Sequence, residues 1–168
     1  MSDCCLKFIE VGTGIEVRTI AVRERAGAMP GLLWLGGFKS DMKGTKAEAL
    51  DAWAGDKGRA MIRFDYSGHG ESGGAFSDGT IGRWLAESLA VFDACCRGPQ
   101  IVIGSSMGGW LALLLARALA QRAVAKATIA GLVLIAPAVD FTEELVWKRF
   151  PSDIKRAIQE QGGWARPS

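Results

Sequence analysis

The residues most suited to chemistry form a serine motif flanked by glycines, Gly104-Ser105-Ser106-Met107-Gly108. The order fits G-x-S-x-G with Ser106 at the centre, whereas Ser105 would require glycine at the position of Ile103. This pattern places a serine on a sharp turn between a strand and a helix, where side chains two residues away would collide with the turn. We therefore predict that Ser106 is the nucleophile of an acyl-transfer reaction. A tight turn with a solvated serine is the alternative.

Acyl transfer also needs hydrogen-bond donors for the negative charge that develops on the carbonyl oxygen. The helix predicted after Ser106 would offer its first amides, and we expect Met107 to provide one of them. A second donor is expected from the glycine-containing loop at 36–38, and we assign it to the amide of Phe38. An ordinary turn is the alternative for this loop.

The general base is the missing part of this set. The single histidine, His69, precedes the serine and lies in the glycine-rich segment FDYSGHGESGG at 64–74. With a serine on such a turn, the catalytic partners follow it in the order acid, then histidine. We therefore expect His69 to shape its loop, with Asp65 and Ser67 satisfying backbone groups of the same turn. Pocket lining and general-base catalysis are the alternatives for His69.

The elements that must position these residues alternate between strand and helix patterns. Strands are predicted at 5–11 and 15–22, as an antiparallel hairpin, and then at 31–37, 59–66, 100–104 and 131–137. Helices are predicted at 45–54, 80–96 and 106–122, with Thr45 as the first N-cap and Glu48 completing a capping box. Continuous apolar strands alternating with helices indicate parallel strands buried on both faces, so the predicted fold class is α/β.

Length and charge exclude several classes of protein. At 168 residues, the chain is expected to form one domain, residues 1–168, with a helical excursion at 141–168. A formal net charge of +2 gives no reason to expect nucleic acid as a partner. No apolar run reaches the roughly 18 residues of a membrane-spanning helix, and the N-terminus lacks the pattern of a signal peptide. The oligomeric state is not predicted.

The four cysteines occur as two adjacent pairs, Cys4-Cys5 and Cys95-Cys96. Neither pair has the spacing of a zinc site or of a secreted disulfide framework. We therefore expect reduced thiols in a cytoplasm-like compartment. The chemistry predicted for Ser106 requires no metal and no organic cofactor.

Three segments together resemble the α/β-hydrolase superfamily: LGGFKSDMKGTKAEAL at 35–50, RFDYSGHGESGG at 63–74 and GPQIVIGSSMGGWLALLLA at 98–116. Within the superfamily they are similar to a group that hydrolyses thioesters of fatty-acylated cysteine and acyl-glucuronide esters. The resemblance implies an α/β-hydrolase fold and a serine hydrolase acting on small-molecule or acyl-protein esters and thioesters. It also implies a cytoplasmic location, or a mitochondrial matrix location in a eukaryote.

The C-terminal part of the sequence departs from that group. Its members continue through two further strands, whose loops carry the acid and the histidine, whereas this sequence reaches Ser168 in what resembles a cap insertion. The implied interpretation is the N-terminal part of an α/β-hydrolase domain, truncated after the strand at 131–137, with little or no turnover by itself. A catalytically inactive binding module that keeps the pocket is the competing hypothesis.

Two further expectations concern the region after Ser106. Asp140 is a possible catalytic acid, with a loop or helix-cap aspartate as the alternative. The wall of an acyl pocket is expected to include Phe38, Met107, Trp110, Phe141 and Trp147, with core packing as the alternative for the apolar side chains.

Overall fold

A mixed sheet of six strands runs through the computed structural model, which describes residues 5–122 and 126–162. The strands are β1 (Cys5–Val11), β2 (Arg18–Arg25), β3 (Ala28–Leu35), β4 (Arg59–Phe64), β5 (Gly98–Ser105) and β6 (Ala127–Ile135). Their order across the sheet is β1-β2-β4-β3-β5-β6. β2 pairs antiparallel with β1 and β4, while β4, β3, β5 and β6 run parallel to one another. The α/β fold class is confirmed.

Four helices of ten residues or more occur among the described residues: α1 (Thr45–Asp56), α2 (Ile81–Cys95), α3 (Met107–Ala120) and α4 (Ser152–Gln161). Alternate strand side chains, including Leu32 and Trp34 of β3, form a buried cluster with the α1 residues Ala47 and Ala54. The intervening side chains of β3 point to the opposite face. The helices α2 and α3 contact each other and the sheet.

The first helix begins differently from the prediction. Its N-cap is Gly44, in an extended conformation, and Thr45 is the first helical residue, so the predicted cap and its capping box are wrong. The amide of Gly44 donates to the carbonyl of Asp41 at 3.1 Å, and the carbonyl of Gly44 accepts from the amide of Glu48 at 3.1 Å. The turn closed by Asp41 and Gly44 therefore leads into α1 without a side-chain N-cap.

The N-terminal hairpin is confirmed, although its second strand begins three residues later than predicted. A short 3-10 turn at Gly14–Glu16 includes the first two residues of the predicted strand, Ile15 and Glu16. Gly12 has a φ of 102°, and a β-carbon on it would stand 2.5 Å from the carbonyl oxygen of Glu16, so this turn requires glycine.

The last strand, β6, begins four residues before the predicted start. It ends two residues before the predicted end, so Ala136 and Pro137 lie outside the strand. Among the described residues, β6 has a strand partner on one side only. Two of its apolar side chains are exposed, Leu132 by 37% and Val133 by 47%.

The chain divides into two compact units, Met1–Ala138 and Val139–Ser168. The second unit has short helical segments at Thr142–Val146 and Trp147–Arg149, followed by α4. Residues 141–162 contain helical segments and no strand, as predicted for this part of the excursion, and its last residues, 163–168, lie outside the described part of the chain. Within the described residues, no helix is both long enough and apolar enough to cross a membrane.

The described cysteines, Cys5, Cys95 and Cys96, are not in disulfides. Burial raises the pKa of Cys95 to about 11 and that of Cys96 further still. Both thiols therefore stay protonated at neutral pH. Cys4 lies outside the described residues.

Candidate active site

Ser106 occupies the junction between β5 and α3 and is exposed. Its backbone has a φ of 55° and a ψ of −119°, a conformation that L-residues with side chains rarely adopt. The amide of Ser106 donates to the carbonyl of Ile135 at 2.9 Å, and its carbonyl accepts from the amides of Gly109 at 2.9 Å and Ala138 at 3.0 Å. These bonds hold the strained residue in place.

The glycines of the motif are required by close backbone packing. A β-carbon on Gly104 would lie 2.3 Å from the carbonyl oxygen of Gly108, and one on Gly108 would lie 2.1 Å from that of Leu35. The next residue, Gly109, is less crowded but still has no room for a side chain, since its β-carbon would stand 2.8 Å from Cβ of Pro137. The turn therefore has room for glycine alone at these positions.

The loop after β3 passes directly against the serine. The amide of Ser40 donates to the carbonyl of Gly37 at 3.1 Å, which closes a turn, and Lys39 has a φ of 57°. A β-carbon on Gly37 would lie 3.4 Å from Cβ of Ser106. The two predicted oxyanion donors are the residues that follow this pair in the sequence. Phe38 follows Gly37, and Met107 follows Ser106 as the first residue of α3. Their roles stay predictions.

A cavity of about 280 Å³ opens beside Ser106. Its walls include Ser105, Phe38, Trp34 and the polar stretch from Gly44 to Lys46 at the start of α1. Trp110 is half-buried and does not line this cavity. Asp140, Phe141 and Trp147 belong to the second unit, and their catalytic or pocket roles also stay predictions.

His69 is buried and has both ring nitrogens engaged. The carbonyl of Ser67 lies 3.1 Å from Nδ1, and the amide of Lys39 donates to Nε2 at 3.3 Å. Because Nε2 accepts, the ring carries its proton on Nδ1. The rings of Tyr66, Phe76 and Trp84 surround the imidazole. The predicted loop-shaping role is confirmed, and His69 does not line the cavity beside Ser106.

Asp65 joins two loops behind the site. Its carboxylate accepts the amides of Met42 at 2.6 Å and Glu71 at 2.8 Å, as predicted for a residue that satisfies backbone groups. Burial raises the pKa of the Asp65 carboxyl, although these two amides act in the opposite direction. A β-carbon on Gly70 would lie 2.0 Å from Asp65 Oδ2, so the loop closes tightly around this carboxylate.

The prediction for the hydroxyl of Ser67 is wrong, because it donates to Oε1 of Glu87 at 2.7 Å rather than to a backbone group. Glu87 is completely buried on α2, accepts the Ser67 amide at 2.9 Å and pairs with Arg18 at 2.7 Å. Glu87 was not among the residues predicted from the sequence. Its position three residues after Trp84 and four before Val91, both buried on the same helix face, is the signal that identifies it.

Comparison with known proteins assigns the chain to a family. The family model described as serine aminopeptidase, S33, matches residues 41–168. A bacterial protein of known structure from Agrobacterium vitis S4 is 46% identical, with a TM-score of 0.93 over 99% of this chain and 65% of that chain. The protein belongs to the serine aminopeptidase S33 family, within the α/β hydrolases.

The human palmitoyl-protein thioesterase ABHD10, mitochondrial, is 37% identical over 91% of this chain and 48% of its own length. The structure of α/β hydrolase domain-containing protein 10 from mouse is 34% identical, with a TM-score of 0.81 over 97% of this chain and 61% of that chain. The chain therefore spans about half the length of the curated relatives it matches.

Proposed function

We propose that this protein provides the nucleophile and oxyanion site of a serine hydrolase that cleaves acyl esters or thioesters. The observation that carries the proposal is Ser106 itself, an exposed serine at positive φ on a strand-to-helix turn, with the loop of Gly37 packed against its Cβ. The name of the human relative, a palmitoyl-protein thioesterase, supports an acyl thioester as one substrate class.

In the proposed reaction, Oγ of Ser106 attacks the acyl carbon and its proton passes to a base. The amides of Met107 and Phe38 donate to the oxyanion, and the positive end of the α3 dipole adds to their effect. The bond to the leaving oxygen or sulfur then breaks, and the alcohol or thiol departs with a proton. Water hydrolyses the acyl-enzyme by the reverse sequence of proton transfers.

We further propose that the base and the acid come from polypeptide outside residues 1–168. His69 is the single histidine of the sequence, and its two ring nitrogens already bind the carbonyl of Ser67 and the amide of Lys39. Without a base, only the residual catalysis of the oxyanion site and of substrate binding remains. The 168 residues alone are therefore expected to show little or no turnover.

The engagement of both His69 ring nitrogens also favours one competing function, an inactive binding module that keeps the cavity beside Ser106. The partners expected for either function are small-molecule or acyl-protein esters and thioesters. For the hydrolase, we expect a cytoplasmic location, or the mitochondrial matrix in a eukaryote, in line with the mitochondrial name of the human relative.

Chemical rescue distinguishes the two functions. The purified chain is incubated with a fluorophosphonate probe and with a fluorogenic thioester, in the presence of increasing concentrations of imidazole as an external base. A hydrolase site predicts labelling and thioester cleavage that rise with imidazole. Both signals must disappear in S106A, which also subtracts the reaction of free imidazole with the thioester.

The matched control is S77A, which removes an exposed hydroxyl that does not line the cavity, and it is expected to retain the rescued labelling. Circular dichroism verifies that each variant is folded. Labelling that does not respond to imidazole, in a folded chain, would favour the binding module. Strong labelling without imidazole would show that a base is present within these residues or in a second copy of the chain.

A further inference from the structure

We propose that His69 is a positioning residue for the oxyanion site: its Nε2 holds the amide of Lys39, and so directs the neighbouring Phe38 amide toward the acyl oxygen at Ser106. The inference rests on the proposed function, because it assigns a role within that reaction. It concerns the backbone of the loop at 36–40, and His69 itself touches neither Ser106 nor the cavity in this role.

Lys39 is the point at which the loop requires support. With a φ of 57°, it occupies the left-handed region, which a lysine adopts only when its surroundings impose it. One restraint is the turn itself, closed by the amide of Ser40 on the carbonyl of Gly37. The other is the 3.3 Å bond from the Lys39 amide to Nε2 of His69, thirty residues away in the sequence.

The imidazole is well placed to act as a fixed anchor. Its Nδ1–H donates to the carbonyl of Ser67, whose own amide and hydroxyl bind the buried carboxylate of Glu87. Glu87 is in turn paired with Arg18 of β2. A continuous series of hydrogen bonds therefore connects the sheet and α2 to Nε2 of His69, and from there to the loop.

The surroundings of the ring also restrict its movement. Its centroid lies 5.1 Å from that of Phe76, 5.3 Å from Trp84 and 5.8 Å from Tyr66, so the imidazole is enclosed by edge-to-face aromatic contacts. Phe76 also packs against Phe38, at 5.1 Å between centroids. The Phe76 ring therefore contacts both the imidazole of His69 and the side chain of Phe38, the residue whose amide is to be positioned.

The loop at 36–40 lies so close to Ser106 that its position affects the oxyanion site. Gly37 is close enough to Ser106 for an added β-carbon to make van der Waals contact at 3.4 Å, so a small shift of the loop changes the oxyanion geometry. An oxyanion donor must stand at hydrogen-bond distance from the developing charge. Losing the acceptor at Nε2 leaves the turn closed but removes one of the contacts that fix the turn relative to the serine.

The first test reads the contact directly and does not depend on Ser106. Because the sequence has one histidine, labelling histidine with ¹⁵N gives the imidazole of His69 alone. We expect the neutral tautomer with its proton on Nδ1 and with Nε2 coupled to the Lys39 amide. A proton on Nε2 would overturn the proposal, since that nitrogen could then not accept.

The second test compares H69Q with H69N. The amide of glutamine reaches the position of Nε2, whereas that of asparagine reaches only the position of Nδ1 and can retain the bond to Ser67. We expect H69N to lower the maximal imidazole-rescued acylation rate of Ser106 by roughly 10–100-fold, less than or similar to the effect of deleting a donor. The half-saturating ester concentration should not change, because the loss is in the transition state. H69Q should restore most of the rate.

V91A, which removes buried methyl groups of α2 away from the loop, serves as the control for reduced stability. Equal rates for wild type, H69N and H69Q would overturn the positioning role. An equal loss in V91A and H69N, matched by their melting temperatures, would reduce His69 to a structural residue. If wild type shows no rescued acylation, the proposed function fails and the positioning role of His69 fails with it, while the tautomer still decides whether the contact exists.

Discussion

Gly108 lies against the end of β3, so close that a β-carbon on it would stand 2.1 Å from the carbonyl oxygen of Leu35 and 2.5 Å from that of Gly36. The first turn of α3 and the start of the loop at 36–40 therefore meet through bare backbone. This contact sets the separation between Ser106 and the loop that carries Phe38.

Replacing Gly108 by alanine is expected to separate these two backbones. We expect G108A to lower the free energy of unfolding by about 2–3 kcal/mol, as overpacking does, and to abolish imidazole-rescued labelling of Ser106. Urea denaturation and fluorophosphonate labelling measure the two effects. The matched control is G131A in β6, where an added β-carbon meets nothing within 4 Å. If G108A were as stable and as reactive as G131A, this contact would not set the site.

A second prediction concerns the ion cluster between β2, β4 and α1. Asp51 is buried, binds Arg25 through two hydrogen bonds at 2.8 and 2.7 Å, and lies 3.2 Å from Arg63. We expect D51N to destabilise the protein by about 3 kcal/mol, because two guanidinium groups lose their buried counter-charge. D93N, which breaks the exposed pair with Arg122, should cost less than about 1 kcal/mol. Comparable losses in the two variants would contradict the assignment.

The same carboxylate gives the protein a pH dependence. Hydrogen bonding from Arg25 lowers the pKa of Asp51 below its ordinary value of 3.8, with Arg63 acting in the same direction against the opposing effect of burial. A lowered folded-state pKa means that the stabilisation is present above pH 3.8 and is lost as the pH falls through the folded-state pKa. Wild type should lose stability below pH 4 more steeply than D51N in urea titrations at fixed ionic strength.

The cysteines should differ in their reactivity. Cys5 is exposed, whereas burial raises the pKa of Cys95 to about 11 and that of Cys96 further. Because the thiolate is the reactive form, iodoacetamide at pH 8 should alkylate Cys5 first, Cys95 next and Cys96 last. Peptide mass spectrometry follows each site, and unfolding in urea should make the rates similar. Fast alkylation of Cys96 in the folded protein would show that its helix end opens.

The exposed apolar side chains of β6 predict self-association of the 168-residue chain. Leu132 and Val133 are exposed on a strand that, among the described residues, has a partner on one side only. We expect V133K to raise the concentration at which light scattering detects aggregates, with no loss of melting temperature. In contrast, V102K, at a fully buried position of β5, should prevent folding. If V133K scatters light as wild type does, another surface is responsible.

The alternation of strands and helices could be predicted because its signal is local, but the boundaries depended on features that periodicity does not carry. β3 begins at Ala28 and includes Pro30, which the prediction placed outside the strand. The register with β4 shifts between Ala28 and Leu32, so the missing amide of Pro30 does not interrupt a regular ladder. Such an irregularity exists only once the strands are paired.

The candidate site also contains residues that the local sequence predicts and contacts that it does not. Ser106 and its glycines could be predicted because the strand, turn and helix that use them are adjacent in the sequence. The bond from Lys39 to His69 could not, since it depends on β3 and β4 lying side by side in the sheet. The helical spacing of Glu87 indicates its burial, but its role could not be predicted, since its partners Ser67 and Arg18 are distant in the sequence.

The bond from the Ser106 amide to the carbonyl of Ile135 continues the pairing of β5 with β6 one residue beyond the last paired position, Ser105. Deuterium replaces the hydrogen of that amide when this bond opens. Ser106 is therefore an exposed residue whose backbone amide is protected by its bond to β6. We therefore expect any event that loosens β6 to accelerate exchange at the candidate nucleophile, Ser106.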